Sequence, residues 1–343
     1  MRRNRMAWLC CGLVALGMLV LTGRLLLPER PEGTGAAEPV QQVDAVPNEV
    51  KILKLASPFS RDSFASRILS DFCSRVNANG EQTLYIQLYE NGALGSESET
   101  LEAIRHGRLE LCAVNSGNLT ALIPEAEPLF VPFRASTREE ALALLDSEEA
   151  QRVYEKMEAQ GVQNLGYFWN GFRYVWSSTP VRSLADLGEL RLRLPGVPVF
   201  QAAFDGVVAA QEIMPMDDVH TALLVGTVDA FEQDLTEVVR RDVCGLTPYC
   251  LKLNHAFSAT TLLMNQEIWQ TLTARERVTL MDCMEQSIRY AGDLCEKQEQ
   301  TWQQYLGTHG TTFTALPAEE QALVREQMSR QAWDYVNEAL GGE

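Results

Sequence analysis

The stretch Lys51–Tyr89, KILKLASPFSRDSFASRILSDFCSRVNANGEQTLYIQLY, decides the fold class of this chain. Lys51 to Ser57 is a short apolar strand. Arg61 to Val76 then puts Phe64, Ile68, Leu69, Phe72 and Val76 on one face of a helix, and Thr83 to Tyr89 alternates Leu84, Ile86 and Leu88 with the period of a strand. Strand, helix and strand in this order form a β-α-β unit, and parallel sheet is the economical reading.

The alternation continues down the chain. Asn91-Gly92 marks a turn, Ser96 with Glu99 makes a capping box for a helix through Ile104, and Leu109 to Val114 returns as a strand. Pro124, Pro128 and Pro132 punctuate an apolar connector. Thr137 to Gln160 reads as one helix and Asn164 to Trp169 as a strand. Further strands are expected at Arg173 to Ser178, Leu190 to Leu194, Thr227 to Phe231 and Phe257 to Met264. An unusually long helix from Thr273 to Leu306 is able to pass behind two domains, and a terminal helix runs from Pro317 to Ala339. At 343 residues the chain is too long for one small domain, so two are expected.

Charge separates an N-terminal tail from the body. Met1 to Arg30 holds five arginines and one acid, a net of +4, so the remainder carries −21 of the total −17. An acidic body argues against binding that works by coating nucleic-acid phosphates with cations. Arg2, Arg3 and Arg5 lead into an uncharged apolar run, residues 6–23, which is either an export signal or a membrane anchor within residues 1–24. Its 18 residues exceed a usual signal core and sit near the lower limit for spanning a bilayer. In both readings the basic residues stay inside and the body is exported, to a periplasmic or extracytoplasmic location. Residues 25–49, with Pro28, Pro31, Pro39, Pro47, Gly33 and Gly35, form a linker that would hold the body about 25–30 Å from the membrane.

Six cysteines remain in the exported part. Cys283 and Cys295 lie twelve residues apart on one helical pattern, about 18 Å, beyond disulfide reach. Cys244 and Cys250 bracket a short loop, and both a bridge and free thiols fit that spacing. His106, His220, His255 and His309 are scattered and no Cys-x-x-Cys occurs, so no metal site or cofactor is expected.

Three blocks then occur in order: Trp169-Asn170-Gly171-Phe172-Arg173, Pro180 through Leu187, and Leu190-Arg191-Leu192-Arg193-Leu194-Pro195. They resemble the solute-binding proteins of tripartite ATP-independent periplasmic (TRAP) transporters, the DctP family. Leu129 to Phe133, Gly226 to Asp229 and Asn254-His255 fall where that family has similar blocks. The resemblance implies an α/β, two-lobed, type II-like periplasmic-binding-protein fold, with crossing hinge strands and a long helix spanning both lobes. Lobe I would comprise 50–171 plus 259–298, and lobe II 172–258 plus 299–343. It implies a monomeric receptor that binds a small organic acid between its lobes and delivers it to the small and large permease subunits.

Pleat geometry supports the same site. In Leu190 to Leu194 the leucines face one way and Arg191 and Arg193 the other, so a guanidinium is held rigidly on a strand. Guanidinium N–H donors match both oxygens of a carboxylate, which a lysine cannot do. The resemblance selects Arg193 as the ligand clamp and Arg173 as a second cationic contact. Spacing alone also fits surface pairing of these arginines with Glu189 or Asp186. Asn115, at the end of the Leu109 to Val114 strand, is a further polar contact by resemblance, in keeping with ligand binding at strand carboxyl ends. Met216, Asn170, Trp169 and Ser57 are carried over as wall positions, while Asp62 is read as a helix cap.

One departure concerns the residues after Asp229. Where the family commonly has Glu-Asn-Pro, this chain has Glu232-Gln233-Asp234. Gln233 still offers a hydrogen-bonding amide, and Asp234 adds an acid beside the pocket, so a ligand bearing an amine or hydroxyls as well as a carboxylate is conceivable. The chain contains no Gly-x-Ser-x-Gly, His-Glu-x-x-His or phosphate-cradling glycine loop, so an enzyme is not expected. The alternative to a transport receptor is a membrane-tethered sensor or scavenger without a permease.

Overall fold

Period-two apolar strands and one-faced helices can bury their apolar sides only by layering helices on sheets. The computed structural model describes residues 50–79, 83–239 and 243–341 and shows that arrangement. The signal or anchor segment and its linker lie outside these residues. No helix among the described residues is long and apolar enough to cross a membrane.

Strands β1 (Lys51–Ala56), β2 (Leu84–Tyr89) and β3 (Leu111–Asn115) run parallel in the order β2-β1-β3, with the helices Phe64–Asn79 and Glu97–Arg105 as crossovers. Ser96 caps the second helix in a capping box with Glu99, as expected. Strand β4 (Val162–Ser177) is the longest at 16 residues. Then come β5 (Arg191–Leu194), β6 (Ala210–Ile213), β7 (Ala230–Asp234), β8 (Tyr249–Leu251), β9 (Phe257–Asn265) and β10 (Thr312–Thr314). The path is β2-β1-β3-β9-β4-β7-β5-β6, with β8 pairing both β4 and β10.

Strand β4 joins two half-sheets. Its first part, through Phe172, pairs antiparallel with β9, and from Arg173 onward it pairs with β7 and β8. The sequence suggests two strands broken near Gly171, whereas the chain stays extended and bulges. Register shifts occur at Asn164/Gly166 and Trp169/Gly171, and both glycines hold positive φ, 136° and 128°. Only glycine takes such angles without strain, so a β-bulge replaces the expected break. The sheet is therefore mixed: β9 and β4 run antiparallel to their neighbours inside an otherwise parallel arrangement.

Helices pack behind this frame. Ala274–Thr308 spans 35 residues, about 52 Å at 1.5 Å per residue, and begins on a capping box between Thr273 and Glu276. It packs on the helix Phe64–Asn79 and on β4. At that junction the Phe64 ring meets Phe168 of β4 at 6.3 Å and Trp302 of the long helix at 6.0 Å, both edge-on. The terminal helix is Ala318–Leu340.

Two local readings are corrected and one left open is decided. Thr137 to Gln160 is two helices, Arg138–Leu145 and Glu148–Ala159, because Ser147 caps the second by accepting from the Ala150 N–H. Asp62 is not a cap: it is exposed with φ 68°, and the neighbouring Ser63 Oγ accepts the Ser66 N–H instead. Of the two readings open for Cys244 and Cys250 the bridge is not formed, and neither Cys283 nor Cys295 takes part in a disulfide.

The Phe64 ring joins three elements, so Phe64→Ala should destabilise the fold by about 3–5 kcal/mol in chemical denaturation, through lost burial and the cavity left behind. Gly166→Ala should also destabilise, because the added Cβ would sit 3.2 Å from Met284 and Ile288 side-chain atoms at a positive φ.

Candidate functional site

Parallel strands end in polar backbone groups on one edge, and helices start there, so ligands collect at strand carboxyl ends. Strands β1, β3, β5 and β7 all run out toward one cavity of about 460 Å³. Its wall takes Glu97, Asn115 and Asn118 from the first half-sheet and Arg193, Met216 and Asp234 from the second. Asn170 and Arg173, on β4 where it changes partners, also line it.

Arg193 is the sequence's clamp candidate, and it is 97% covered, with a relative exposure of 3%. Leu192 and Leu194 are fully buried on the opposite face of β5, while Arg191 stays outside and pairs with Asp229 at 2.9 Å. The Arg193 Nε donates to the Met214 carbonyl at 2.8 Å, and Nη1 lies 3.8 Å from Met216 Sδ. One edge of the guanidinium is thereby fixed against the loop after β6.

Arg173 is held differently. Its Nε donates to Glu232 Oε2 and its Nη2 donates to Glu232 Oε1 at 2.7 Å, a bidentate pair with both side chains buried. Its Cζ stands 5.7 Å over the Phe200 ring. His255 Nε2 lies 3.3 Å from Glu232 Oε2, and the imidazole is fully buried. Burial alone would raise the Glu232 carboxyl, but the Arg173 charge and the bonds from His255 and Arg173 outweigh it and hold it at about 2. Burial lowers the His255 pKa despite the carboxylate beside it, keeping the ring neutral.

Acceptors complete the wall. Asn115 Nδ2 donates to Ser258 Oγ at 2.9 Å while its Oδ1 accepts the Gly117 N–H at 3.2 Å. Asn170 Nδ2 donates to Thr260 Oγ1 at 2.9 Å. Gln233 Oε1 accepts the Asp234 N–H at 3.0 Å. Glu97 takes the Asn115 N–H at 2.8 Å and the Asn118 amide. Burial raises the Glu97 carboxyl to about 7, and Glu237 adds to the rise while the Asn115 bond and both arginines oppose it.

Six of the eight sequence candidates therefore reach the wall: Arg193, Arg173, Asn115, Gln233, Met216 and Asn170. Trp169 and Ser57 do not. Trp169 is 5% exposed and packs edge-on to Phe172 at 5.1 Å and stacked on Phe257, because pleat alternation turns it from Asn170's side of β4. Ser57 is buried and accepts the Phe59 N–H at 3.3 Å, closing the turn after β1. Glu97, Asn118 and Glu232 were not singled out as site residues. Glu97 reads as an ordinary acidic residue in a first helical turn, and nothing in the sequence joins it to Arg193.

Two half-sheets that share a crossing strand, with strand ends turned toward one cavity, are the architecture of a two-lobed solute-binding protein. Residues 57–338 match the family model described as bacterial extracellular solute-binding protein, family 7, and the chain belongs to that family of TRAP solute-binding proteins. The C4-dicarboxylate-binding periplasmic protein of Rhodobacter capsulatus is 25% identical over 75% of this chain and 78% of its own length. A solute-binding protein of Verminephrobacter eiseniae is 28% identical over 67% and 69%. Among solved structures, a TRAP solute-binding protein of Haemophilus influenzae with bound L-gulonate superposes with a TM-score of 0.77 at 22% identity, covering 84% of this chain and 99% of that one. Another, from Sulfurospirillum deleyianum with bound succinate, gives 0.78 at 18% identity, covering 85% and 96%.

Replacing Glu232 by Gln strips the buried Arg173 of its counter-charge and should cost about 3–5 kcal/mol in urea unfolding. The folded Glu232 pKa lies below its unfolded value, so its contribution is complete above the ordinary carboxylate range and is lost as pH falls toward about 2. The neutral His255 adds loss in the same direction below its usual 6.5. Acid unfolding of Glu232→Gln should therefore be shallower than that of the parent.

Proposed function

We propose that this protein is the extracytoplasmic receptor of a TRAP-type secondary transporter. It takes a small carboxylate-bearing solute onto Arg193, closes around it and presents the closed form to the membrane permease subunits. The observation that carries this reading is a guanidinium on a rigid strand, buried at the wall of the cavity and braced from one side by the Met214 carbonyl. A braced guanidinium loses little freedom on meeting a carboxylate and offers it parallel donors. Relatives named for binding C4-dicarboxylates and 2,3-diketo-L-gulonate handle solutes of the same class.

The lobes take the boundaries read from the sequence, 50–171 with 259–298 and 172–258 with 299–343. In support, β4 exchanges β9 for β7 between Phe172 and Arg173, beside the Gly171 bulge. A glycine at positive φ with nothing within 4 Å of its missing Cβ is free to absorb small backbone rotations as the halves approach. Function needs binding and closure without bond chemistry, and a monomer suffices for both. Export places the cavity in the periplasm, where the permease presents its outer face.

Truncating one member of a desolvated charge-assisted contact costs roughly 2–5 kcal/mol, about 30-fold to several thousand-fold in affinity. Arg193→Ala should abolish micromolar binding in titration calorimetry, and Arg193→Lys should recover little of it, since a point charge does not replace the planar fork. Unchanged affinity in Arg193→Ala would refute the clamp.

A further inference from the structure

The stretch of wall that follows Arg193 is held by an acid from elsewhere in the chain. After Leu194 the backbone runs through Pro195, Gly196 and Val197 into the short helix Pro198–Phe204. Pro198 has no N–H, Val197 gives no side-chain cap, and the Phe200 and Gln201 N–H groups both return to the Val197 carbonyl, at 3.0 and 3.3 Å. The Val199 N–H is left as the donor of this first turn that finds no acceptor within its own segment. Glu127, in the apolar connector before Phe130, supplies one: its Oε2 accepts the Val199 N–H at 2.9 Å, across 72 residues of sequence.

Both residues are buried, Glu127 at 1% exposure and Val199 at 0%. Burial raises the Glu127 carboxyl to about 7, against the bonds it takes from Val199 and Thr120. An acid whose bonds go to uncharged donors is a costly way to stabilise a fold, because burial strips its water. What it does supply is placement of a backbone, and the surroundings give that placement a use. Pro195, Gly196, Val197 and Phe200 line the cavity beside Arg193, whereas Glu127 itself does not. The Phe200 ring stands 5.7 Å from the Arg173 Cζ. Val197 packs against Gly117, where an added Cβ would come within 3.4 Å of its Cγ2, and Gly117 donates in turn to Asn115 Oδ1. Between Leu194 and Val199 two prolines fix φ, and the Val197 N–H bonds back to the Pro195 carbonyl at 2.8 Å. Little slack therefore separates Val199 from the end of β5.

We propose that Glu127 is a positioning residue for solute binding: without lining the cavity, it holds the wall formed by residues 195–200 in place between Arg193 and Arg173. This rests on the receptor reading for what the wall serves.

Two replacements of similar size separate placement from packing. Glu127→Gln keeps an oxygen for the Val199 N–H, and Glu127→Met keeps the volume without one. Hydrogen exchange of the full chain, resolved to Val199 by fragmentation in the mass spectrometer, needs no ligand. Val199 should exchange at least tenfold faster in Glu127→Met and within threefold of the parent in Glu127→Gln, with the amides of β9 unchanged in both. Titration calorimetry with the tightest binder among succinate, malate and L-gulonate should show Glu127→Met weakened tenfold or more and Glu127→Gln within threefold of the parent. Unchanged exchange at Val199 in Glu127→Met, or a rise spread evenly over Val199 and β9, overturns the placement. So does a Glu127→Met that loses stability in urea yet keeps the parent's affinity, since its role is then structural alone. A Glu127→Gln as weak as Glu127→Met overturns it too, because the acceptor oxygen is then not what matters. The receptor reading fails separately: if Glu127→Met frees Val199 and weakens binding while Arg193→Ala leaves binding intact, the placement stands and the clamp falls. Parent-like exchange in Glu127→Met, with Arg193→Ala abolishing binding, gives the reverse.

Discussion

Strand β4 belongs to two half-sheets at once, and the rest of the molecule is arranged around that constraint. Sixteen residues pair with β9 on the way in and with β7 and β8 on the way out. An extended strand cannot serve two twisted sheets without local adjustment, and the bulges at Gly166 and Gly171 supply it. The crossing occurs at Phe172–Arg173, the cavity opens beside it, and Asn170 and Arg173 line it. The long helix Ala274–Thr308 packs along the same strand and ties the halves from behind.

The second organising element is a division of labour between two arginines. Arg173 and Glu232 form a closed, fully desolvated ion pair with His255 alongside. Such pairs stabilise less than their geometry suggests, because desolvation offsets much of the attraction, but losing one partner is severe. The pair links the side chains of β4 and β7 next to the cavity wall that Arg173 lines. Arg193 instead anchors one edge of its guanidinium to a backbone carbonyl and a thioether. Sequence spacing gives these residues equal standing, whereas their surroundings give them different tasks.

Much of this was legible in the chain before any coordinates. Apolar periodicity from Lys51 to Tyr89 gave the first β-α-β unit almost to its ends, and the Ser96 capping box formed where its residues called for it. Alternation in Leu190–Leu194 put the leucines in the core and Arg193 in the cavity. The misreadings were local. Gly171 signalled a break where tertiary pairing on both sides held the strand together, and the Thr137–Gln160 periodicity masked a second start at Ser147.

By itself the sequence determined the element types, the face each strand buries and the placing of an arginine on a rigid strand, because these follow from side-chain periods of two and 3.6 residues within one segment. Only tertiary structure decided which groups share the cavity. Glu97, Asn115, Asn170, Arg193 and Asp234 come from five separated segments, and their meeting depends on how strand ends converge after the sheet twists. Convergence of that kind is a property of long-range packing, to which no local period in the chain corresponds.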